Sequence, residues 1–236
     1  MKRKYLRYPI ANLRREKVPF EGKWKDPLQE TQVLFGDPVD VIKEEGEWSY
    51  VQLPLQQKFD AQNELWMGYP GWIESRLLGI DPICDIFQNG KINSETLIKD
   101  ARKFLGTPYL WGGASLYDPV IPKATGVDCS GLVCLLHKRQ GVFLPRNAHD
   151  QWLKSAQIKG CELQAGDLVF IELKEKPGRM DHVMLYAGEN CLIEAVIDPG
   201  IVREISVKER LGTELEMCRD AIYETAVYRF SFGRVY

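Results

Sequence analysis

Hydrophobic and polar residues alternate in short runs over the first third of the chain. Turns that contain glycine or proline separate these runs, and no helical period is visible. The alternating runs are residues 31–35, 39–42, 48–53 and 65–73. Short strands at this spacing predict a small β-barrel over residues 1–80. The polar residues 54–64 are predicted to form a loop between two strands, and residues 81–93 a linker.

The pattern changes to helices and then to strands after residue 93. Apolar residues recur at helical spacing in residues 95–105, with Ser94 as the expected cap, and in residues 129–140, ahead of Gly141. The segments predicted to be strands follow at residues 167–173, 182–187, 191–196, 201–205 and 226–230. This order is typical of an α+β fold. We therefore expect residues 94–236 to form a domain whose helices pack on an antiparallel sheet.

Composition and charge place the chain among ordinary globular proteins. Its 236 residues suit two domains, and the 44% of apolar and 27% of charged residues exclude collagen-like and disordered classes. The net charge of −2 argues against nucleic-acid binding through a positive surface. Residues 1–25 carry nine Lys or Arg and two Asp or Glu, so we predict a solvated basic arm there rather than a surface that binds anions.

The apolar runs are too short for a membrane helix, which needs ~18 such residues. The basic residues 2–4 could begin a signal peptide, but polar residues interrupt every apolar run behind them. We therefore expect a cytoplasmic protein without membrane contact.

One of the six cysteines stands in a context that favours chemistry. The cysteines form no CxxC pair and no zinc spacing, which predicts reduced thiols and no metal site. Cys129 lies where a glycine-containing loop runs into a predicted helix, and a helix N-terminus favours the nucleophilic thiolate. The other cysteines are expected to be small buried apolar residues: Cys84, Cys134, Cys161, Cys191 and Cys218.

A thiolate enzyme needs a base, and the chain has three histidines. His137 is predicted on the exposed side of a helix and His149 in a polar loop. His182 begins a predicted strand, where catalytic side chains often emerge from a sheet. Its partner is expected to be Glu194, a carboxylate in an otherwise apolar strand that would be costly to bury alone.

The turn between the two strands determines whether His182 and Glu194 can meet. If Ala187 pairs with Cys191 across Gly188–Asn190, residues 182 and 194 lie on one face as diagonal neighbours. The carboxylate would then accept one ring N–H and leave the other nitrogen for Cys129, as in a nucleophile–base–orienter triad. A slip of one residue would destroy this geometry.

Several motifs in residues 94–236 resemble the NlpC/P60 cysteine peptidases, which have a papain-like core and cleave cell-wall peptides. The motifs occur in the order of that family and are Gly106–Gly113, Asp128–Leu132, Leu144–Asn147 with Gln151, Ala165–Asp167, Asp181–Val183 and Ile193–Ala195. The first third resembles the bacterial SH3 domains that are fused to such enzymes, through Glu30–Asp37, Glu47–Val51 and Tyr69–Ile73. The layout resembles the subgroup that hydrolyses the γ-D-glutamyl–diamino acid bond of peptides with a free N-terminal L-Ala.

The resemblance implies roles for the residues around the thiol. Cys129 would be the nucleophile and His182 the base, and Glu194 would orient the imidazole where the family most often has His. Tyr109 would lie beside the thiolate and help to hold the substrate or the oxyanion. The backbone N–H of Cys129 is a further expected oxyanion donor.

The resemblance also implies a substrate-binding set. Asp128 and Ser130 would bind the N-terminal end of the peptide, and Asn147 replaces an Asp of related enzymes. Arg146 would either assist there or form a structural ion pair. From the barrel, Glu30 and Tyr69 would reach over the cleft to the substrate amine: a barrel packed across the cleft would block longer chains and demand a free ammonium.

The sequence thus predicts a monomeric cysteine endopeptidase of murein peptides that needs no cofactor and acts in cytoplasmic cell-wall recycling. A catalytically inactive homologue that binds murein peptides is the alternative from a different class, and an acyltransferase on a related papain-like core is a third. The presence of both Cys129 and His182 favours the enzyme.

Overall fold

The structure, a computed structural model, describes residues 2–82, 90–120 and 125–235. Most of the predicted linker, residues 83–89 with Cys84, lies outside the described residues.

The N-terminal region forms a seven-stranded antiparallel sheet in the strand order β3-β2-β6-β5-β4-β1-β7. Its strands are β1 (Lys2–Leu6), β2 (Ile10–Arg14), β3 (Gln29–Leu34), β4 (Pro38–Glu45), β5 (Trp48–Asp60), β6 (Leu65–Glu74) and β7 (Leu78–Gly79). Alternate side chains enclose one apolar core, in which Leu6, Leu13, Val33, Val51 and Ile73 are fully buried. The predicted all-β character of this region is therefore confirmed.

Two predictions for this region are wrong in part. Residues 2–14 are not a solvated arm, because β1 and β2 pair within the sheet and bury Leu6 and Leu13, whereas residues 15–25 are mostly exposed. Only residues 61–64 of the polar segment 54–64 form the connection between the two strands, because β5 and β6 stay paired from Gln57 opposite Gly68 to Asp60 opposite Leu65. This two-stranded ribbon extends beyond the apolar core, so its side chains are mostly polar although its backbone is extended.

The C-terminal region combines helices with a second seven-stranded sheet, in the order β12-β11-β10-β9-β14-β13 with β8 beside β14. The helices are α1 (Ser94–Arg102), α2 (Cys129–Lys138), α3 (Ala148–Lys154) and α4 (Val207–Leu211). The strands are β8 (Ala156–Ile158), β9 (Leu168–Leu173), β10 (Met180–Gly188), β11 (Cys191–Ala195), β12 (Val202–Ser206), β13 (Ile222–Glu224) and β14 (Tyr228–Arg234). All strand pairs are antiparallel, so the predicted α+β order is confirmed.

Apolar cores cover both faces of this second sheet. On one face, Leu132 and Leu136 of α2 pack against Phe170 and Leu185. On the other face, Met184 and Phe230 belong to a separate apolar cluster. Burial on both sides explains why β9, β10 and β11 are almost continuously apolar rather than alternating.

The hairpin that carries His182 and Glu194 has the predicted register. Leu185 pairs with Ile193, which brings residue 184 opposite residue 194. The turn itself differs, because Gly188 rather than Ala187 faces Cys191 and a bulge absorbs the extra residue.

Three predictions about single side chains are wrong. His137 is fully buried, with Nδ1 2.8 Å from the carbonyl oxygen of Val133, because α2 is enclosed by α1, α3 and the sheet. His149 lies in α3, a helix too short to show a clear period in the sequence. Cys161 is exposed instead of buried.

Hydrogen bonds join the two regions and fix the position of the N-terminal sheet. The Lys138 ammonium donates to both oxygens of Asp37, at 2.5 and 2.7 Å. Ala114 N–H donates to Gln32 Oε1 at 3.0 Å, and Arg146 N–H donates to the carbonyl of Gln57 at 2.9 Å. The ribbon of β5 and β6 thus reaches the start of α3 and places the N-terminal sheet beside Cys129.

Candidate active site

Cys129 is the first residue of α2, and local contacts hold it there. The side chain of Asp128 caps the helix, since its Oδ1 accepts a 2.7 Å hydrogen bond from Gly131 N–H. A Cβ atom at Gly131 would lie only 1.9 Å from the carbonyl oxygen of Gly113, so glycine is required where this loop crosses the helix. The N–H of Cys129 is among the helix-start donors that lack a partner within the helix. The half-buried thiol therefore lies next to a donor that can bind a developing oxyanion.

His182 on β10 and Glu194 on β11 form the predicted contact. His182 Nε2 lies 2.7 Å from Glu194 Oε2, and the Glu194 side chain is 0% exposed. The thiol of Cys129 and the imidazole of His182 line the same cleft, and the charge of Cys129 acts on the imidazole. Because Glu194 takes Nε2, the ring nitrogen that remains for the thiol is Nδ1.

Charges around His182 favour its protonated form. Burial by itself lowers the pKa of His182, but the charge of Cys129 and the hydrogen bond of Glu194 outweigh it and raise the pKa to about 9. Burial likewise raises the pKa of Glu194, yet His182, Arg210 and Arg203 outweigh it and lower the pKa to about 2. The site thus favours an imidazolium at His182 beside an ionised Glu194.

Two arginines that the sequence analysis missed complete the surroundings of Glu194. Arg203 lies directly opposite Glu194 on β12 and donates to Oε1 through Nε and Nη2, at 3.0 and 2.8 Å. Arg210 on α4 donates to Oε2 through Nε at 3.1 Å. Pairing the predicted strand 201–205 with 191–196 could have revealed Arg203, whereas no sequence signal marks Arg210.

Tyr109 lies in the loop before α2 and lines the same cleft as Cys129. Its backbone forms a bridge with Val127 and its N–H donates to Gly200 at 2.8 Å. Burial, followed by the charges of Asp128 and Cys129, raises the pKa of Tyr109 far above its usual value. The hydroxyl therefore stays protonated and can donate a hydrogen bond to a substrate.

Asp128 and Ser130 line the cleft, but Arg146 occupies their polar atoms. The Arg146 side chain is 2% exposed and holds both Asp128 oxygens, at 2.9 and 2.7 Å, together with Ser130 Oγ at 2.9 Å. Gly112 N–H donates to the same carboxylate at 3.0 Å. Of the two readings of Arg146, the contacts therefore match a structural ion pair.

Arg146 also connects the site to the N-terminal sheet. Its Nε donates to Thr31 Oγ1 at 2.6 Å. The ion pair with Asp128, followed by the neighbouring Cys134 and Tyr69, raises the pKa of Arg146 against the opposing effect of burial. The guanidinium thus remains charged where the two regions meet.

Glu30 and Tyr69 of the N-terminal sheet face the cleft from the opposite side. The Tyr69 hydroxyl donates to Glu30 Oε2 at 2.9 Å and lies 3.4 Å from Asn147 Oδ1. The other Glu30 oxygen accepts a 2.6 Å bond from Arg15, whose side chain is 63% exposed. Burial, followed by the charge of Glu30, raises the pKa of Tyr69, so this hydroxyl also stays protonated.

Asp150 on α3 is a further cleft residue that the sequence analysis missed. It is buried and accepts a 2.9 Å hydrogen bond from Asn147 Nδ2. Burial raises the pKa of Asp150 despite this bond. The neutral Asn147 thus links Asp150 to the Tyr69 hydroxyl across the two regions.

All ten residues predicted for the site line one cleft except Glu194, which lies behind His182. The cleft has a volume of about 950 Å³ and is shared by both regions. Its further polar lining residues are Arg15, Gln29, Lys58, His149, Asp150, Arg179, Asp181 and Arg210. A thiol, an imidazole, a carboxylate and oxyanion donors in one cleft are the groups that covalent acyl transfer requires.

Among the described residues, no group of His, Cys, Asp and Glu side chains is arranged to hold a metal ion. No helix in the described segments is both long and apolar enough to cross a membrane.

Comparison with known proteins relates this cleft to a family. Residues 106–215 match the NlpC/P60 family. The chain is 27% identical to the gamma-D-glutamyl-L-lysine dipeptidyl-peptidase of Bacillus subtilis, over 84% of this chain and 82% of that protein. It is 34% identical to the peptidoglycan endopeptidase RipB of Mycobacterium tuberculosis over 126 residues, 51% of each chain, and so spans about half of RipB.

The fold agrees with these relationships. A crystal structure of an NlpC/P60 family protein from Bacillus cereus matches with a TM-score of 0.73 at 19% identity, over 87% of this chain and 94% of that chain. The predicted NlpC/P60 fold is therefore confirmed, and residues 106–215 form an NlpC/P60 family domain related to peptidases that act on peptidoglycan.

Proposed function

We propose that this protein is a cysteine peptidase that hydrolyses the γ-D-glutamyl–diamino acid bond of peptidoglycan stem peptides with a free N-terminal L-Ala. The observation that carries the proposal is that Cys129 and His182 line one cleft, with buried Glu194 behind the imidazole, and that Glu30 and Tyr69 bound this cleft from the other side. The relationship to a gamma-D-glutamyl-L-lysine dipeptidyl-peptidase supports this choice of bond.

The proposed reaction uses the contacts around Cys129. The thiolate attacks the γ-carbonyl carbon of D-Glu, and the N–H of Cys129 and the Tyr109 hydroxyl stabilise the oxyanion. The His182 imidazolium gives its proton to the departing amine of the diamino acid, which leaves a thioester. His182 then removes a proton from water, the hydroxide attacks the thioester, and the γ-carboxylate of L-Ala-D-Glu is released.

Selection for the free amine is assigned mainly to Glu30. The Arg146 guanidinium neutralises Asp128, so Asp128 is a weaker partner for a substrate ammonium than the sequence suggested. Glu30 is held by Tyr69 and by the exposed Arg15, which can move into solvent when an ammonium takes its place. We propose that the N-terminal sheet, as an SH3-like module, closes this end of the cleft. The reaction would then serve cytoplasmic turnover of released wall peptides.

Incubation of the protein with L-Ala-γ-D-Glu-L-Lys and its diaminopimelate analogue, followed by mass spectrometry, tests the proposal. We expect release of the diamino acid and of L-Ala-D-Glu. The N-acetylated peptides are the matched substrates, and loss of the charge-assisted contact with Glu30 should lower kcat/KM for them by ~10-fold or more. Equal cleavage of both would contradict selection for the amine, and binding without cleavage would favour a murein-peptide binding protein.

A further inference from the structure

Glu194 is a buried carboxylate whose four hydrogen bonds come from three different elements. Oε1 accepts two bonds from Arg203 on β12, at 3.0 and 2.8 Å. Oε2 accepts one bond from His182 on β10 at 2.7 Å and one from Arg210 on α4 at 3.1 Å. Both oxygens are therefore fixed, and His182 Nε2 can face only one orientation of the carboxylate.

The charges of this cluster explain why two arginines are present. A buried carboxylate beside a single imidazolium would hold the proton of His182 too strongly for proton transfer to a leaving amine. Two guanidinium groups share the negative charge of Glu194 and weaken its effect on the imidazole. A neutral orienting residue in this position would need neither arginine.

We propose that Arg203 and Arg210 are positioning residues: they fix Glu194 and neutralise its charge, so that a carboxylate can orient His182 without trapping its proton. This inference rests on the proposed cysteine mechanism. Arg203 acts from the strand directly opposite Glu194, and Arg210 acts from the helix that borders the cleft.

Other ionisable groups also face this part of the cleft, and the variants described below leave all of them unchanged. They are Cys129 and Asp128 at α2, Tyr109 and Arg146, His149 and Asp150 on α3, and Arg179 with Asp181 ahead of His182. Arg102 provides a matched control, because its ion pair with Glu204 at 2.9 Å lies at the same sheet but does not touch Glu194.

The first readout needs no substrate. His182 can be titrated by NMR with isotope-labelled histidine, since the chain has three histidines that single substitutions distinguish. We expect Arg203→Met and Arg210→Met each to move the His182 titration to higher pH, by about one unit or less, and Arg102→Met to leave it unchanged. An unchanged His182 titration in both Glu194-contacting variants would overturn the proposal.

The second readout separates charge neutralisation from a merely structural role. Each arginine substitution is expected to lower kcat/KM about tenfold in the wild-type background and less than about twofold in a Glu194→His background, where no carboxylate needs neutralising. Arg203→Lys and Arg210→Lys should recover part of the rate. Equal losses in both backgrounds would overturn the proposal. If neither the wild-type protein nor any variant cleaves the peptides, the proposed function is wrong. The NMR titration of His182 still tests this inference in that case.

Discussion

The guanidinium of Arg146 holds both carboxylate oxygens of Asp128 in a buried ion pair directly before the nucleophile candidate Cys129. The same side chain reaches Thr31 of the N-terminal sheet at 2.6 Å. Arg146 thus fixes the residue that caps α2 and also joins the two regions. The geometry of the cleft therefore depends on Arg146.

Removing Arg146 should strongly destabilise the protein. Arg146→Ala leaves the Asp128 carboxylate buried without a counter-charge, which typically costs about 3–5 kcal/mol of unfolding free energy. Chemical denaturation monitored by tryptophan fluorescence measures this loss. Arg102→Ala, which breaks an exposed pair with Glu204, should change the free energy of unfolding little. Similar losses in both variants would contradict the assigned role, and Arg146→Lys shows whether the charge alone suffices.

Cys129→Ala should abolish peptide hydrolysis while the fold is retained. A methyl group cannot attack a carbonyl, and removal of one sulfur atom from a half-buried site changes packing little. Mass spectrometry of the reaction and circular dichroism of the variant measure both effects. Cys161→Ser is the control, because Cys161 is exposed and is not among the residues that line the cleft.

Iodoacetamide should distinguish the same two thiols. A thiol at a helix N-terminus that shares a cleft with an imidazole is expected to be more reactive than an isolated exposed thiol. At neutral pH, labelling should therefore be faster at Cys129 than at Cys161, as measured by peptide mapping. Faster labelling of Cys161 would contradict the assignment of Cys129 as the nucleophile.

Glu194→Gln should lower kcat far more than it raises KM. The amide loses the charge that stabilises imidazolium and can present its N–H₂ group to the ring instead. Because Glu194 contributes to the raised His182 pKa of about 9, the alkaline limb of the kcat/KM profile should move to lower pH in this variant. Glu194→His should restore part of the rate. Wild-type kinetics in Glu194→Gln would show that another group orients His182.

Acid should destabilise the protein through His137. Burial lowers the pKa of His137 to about 4, against an ordinary value of 6.5, so the unfolded chain takes up a proton that the folded protein excludes. The contribution of neutral His137 to the free energy of unfolding is therefore fully present above pH 6.5 and is lost as the pH falls toward 4. Unfolding free energies of wild type and His137→Asn should diverge over this range by up to about 3 kcal/mol. Parallel pH curves would contradict this origin of acid sensitivity.

Arg15→Gln should strengthen selection for the free amine. Arg15 competes with a substrate ammonium for Glu30, and an exposed ion pair of this kind is worth roughly 0.2–1 kcal/mol. We therefore expect kcat/KM for L-Ala-γ-D-Glu-L-Lys to rise by up to about fivefold, with no change for the N-acetylated peptide. Glu30→Gln should reduce the preference between the two peptides. A fall in activity toward the free peptide in Arg15→Gln would show that Arg15 itself assists binding.

The sequence by itself determined the elements and contacts that form between segments adjacent along the chain. Hydrophobic periodicity was sufficient for α2 and for the hairpin of β10 and β11, because a short turn fixes which residues face each other. The contact between His182 and Glu194 follows from that register. The position of Cys129 at a helix start follows from the loop and the apolar period behind it.

Only the tertiary structure decided how the charged residues are used. Arg14 looked like part of a solvated arm, yet it is buried and paired with Asp26, and Arg146 meets Thr31 from a segment more than a hundred residues away. Glu194 accepts a hydrogen bond from Arg210 on α4, and no local sequence pattern predicts this contact. The free energy of a charged side chain depends on its burial and on its partners, and both arise only when distant segments pack together.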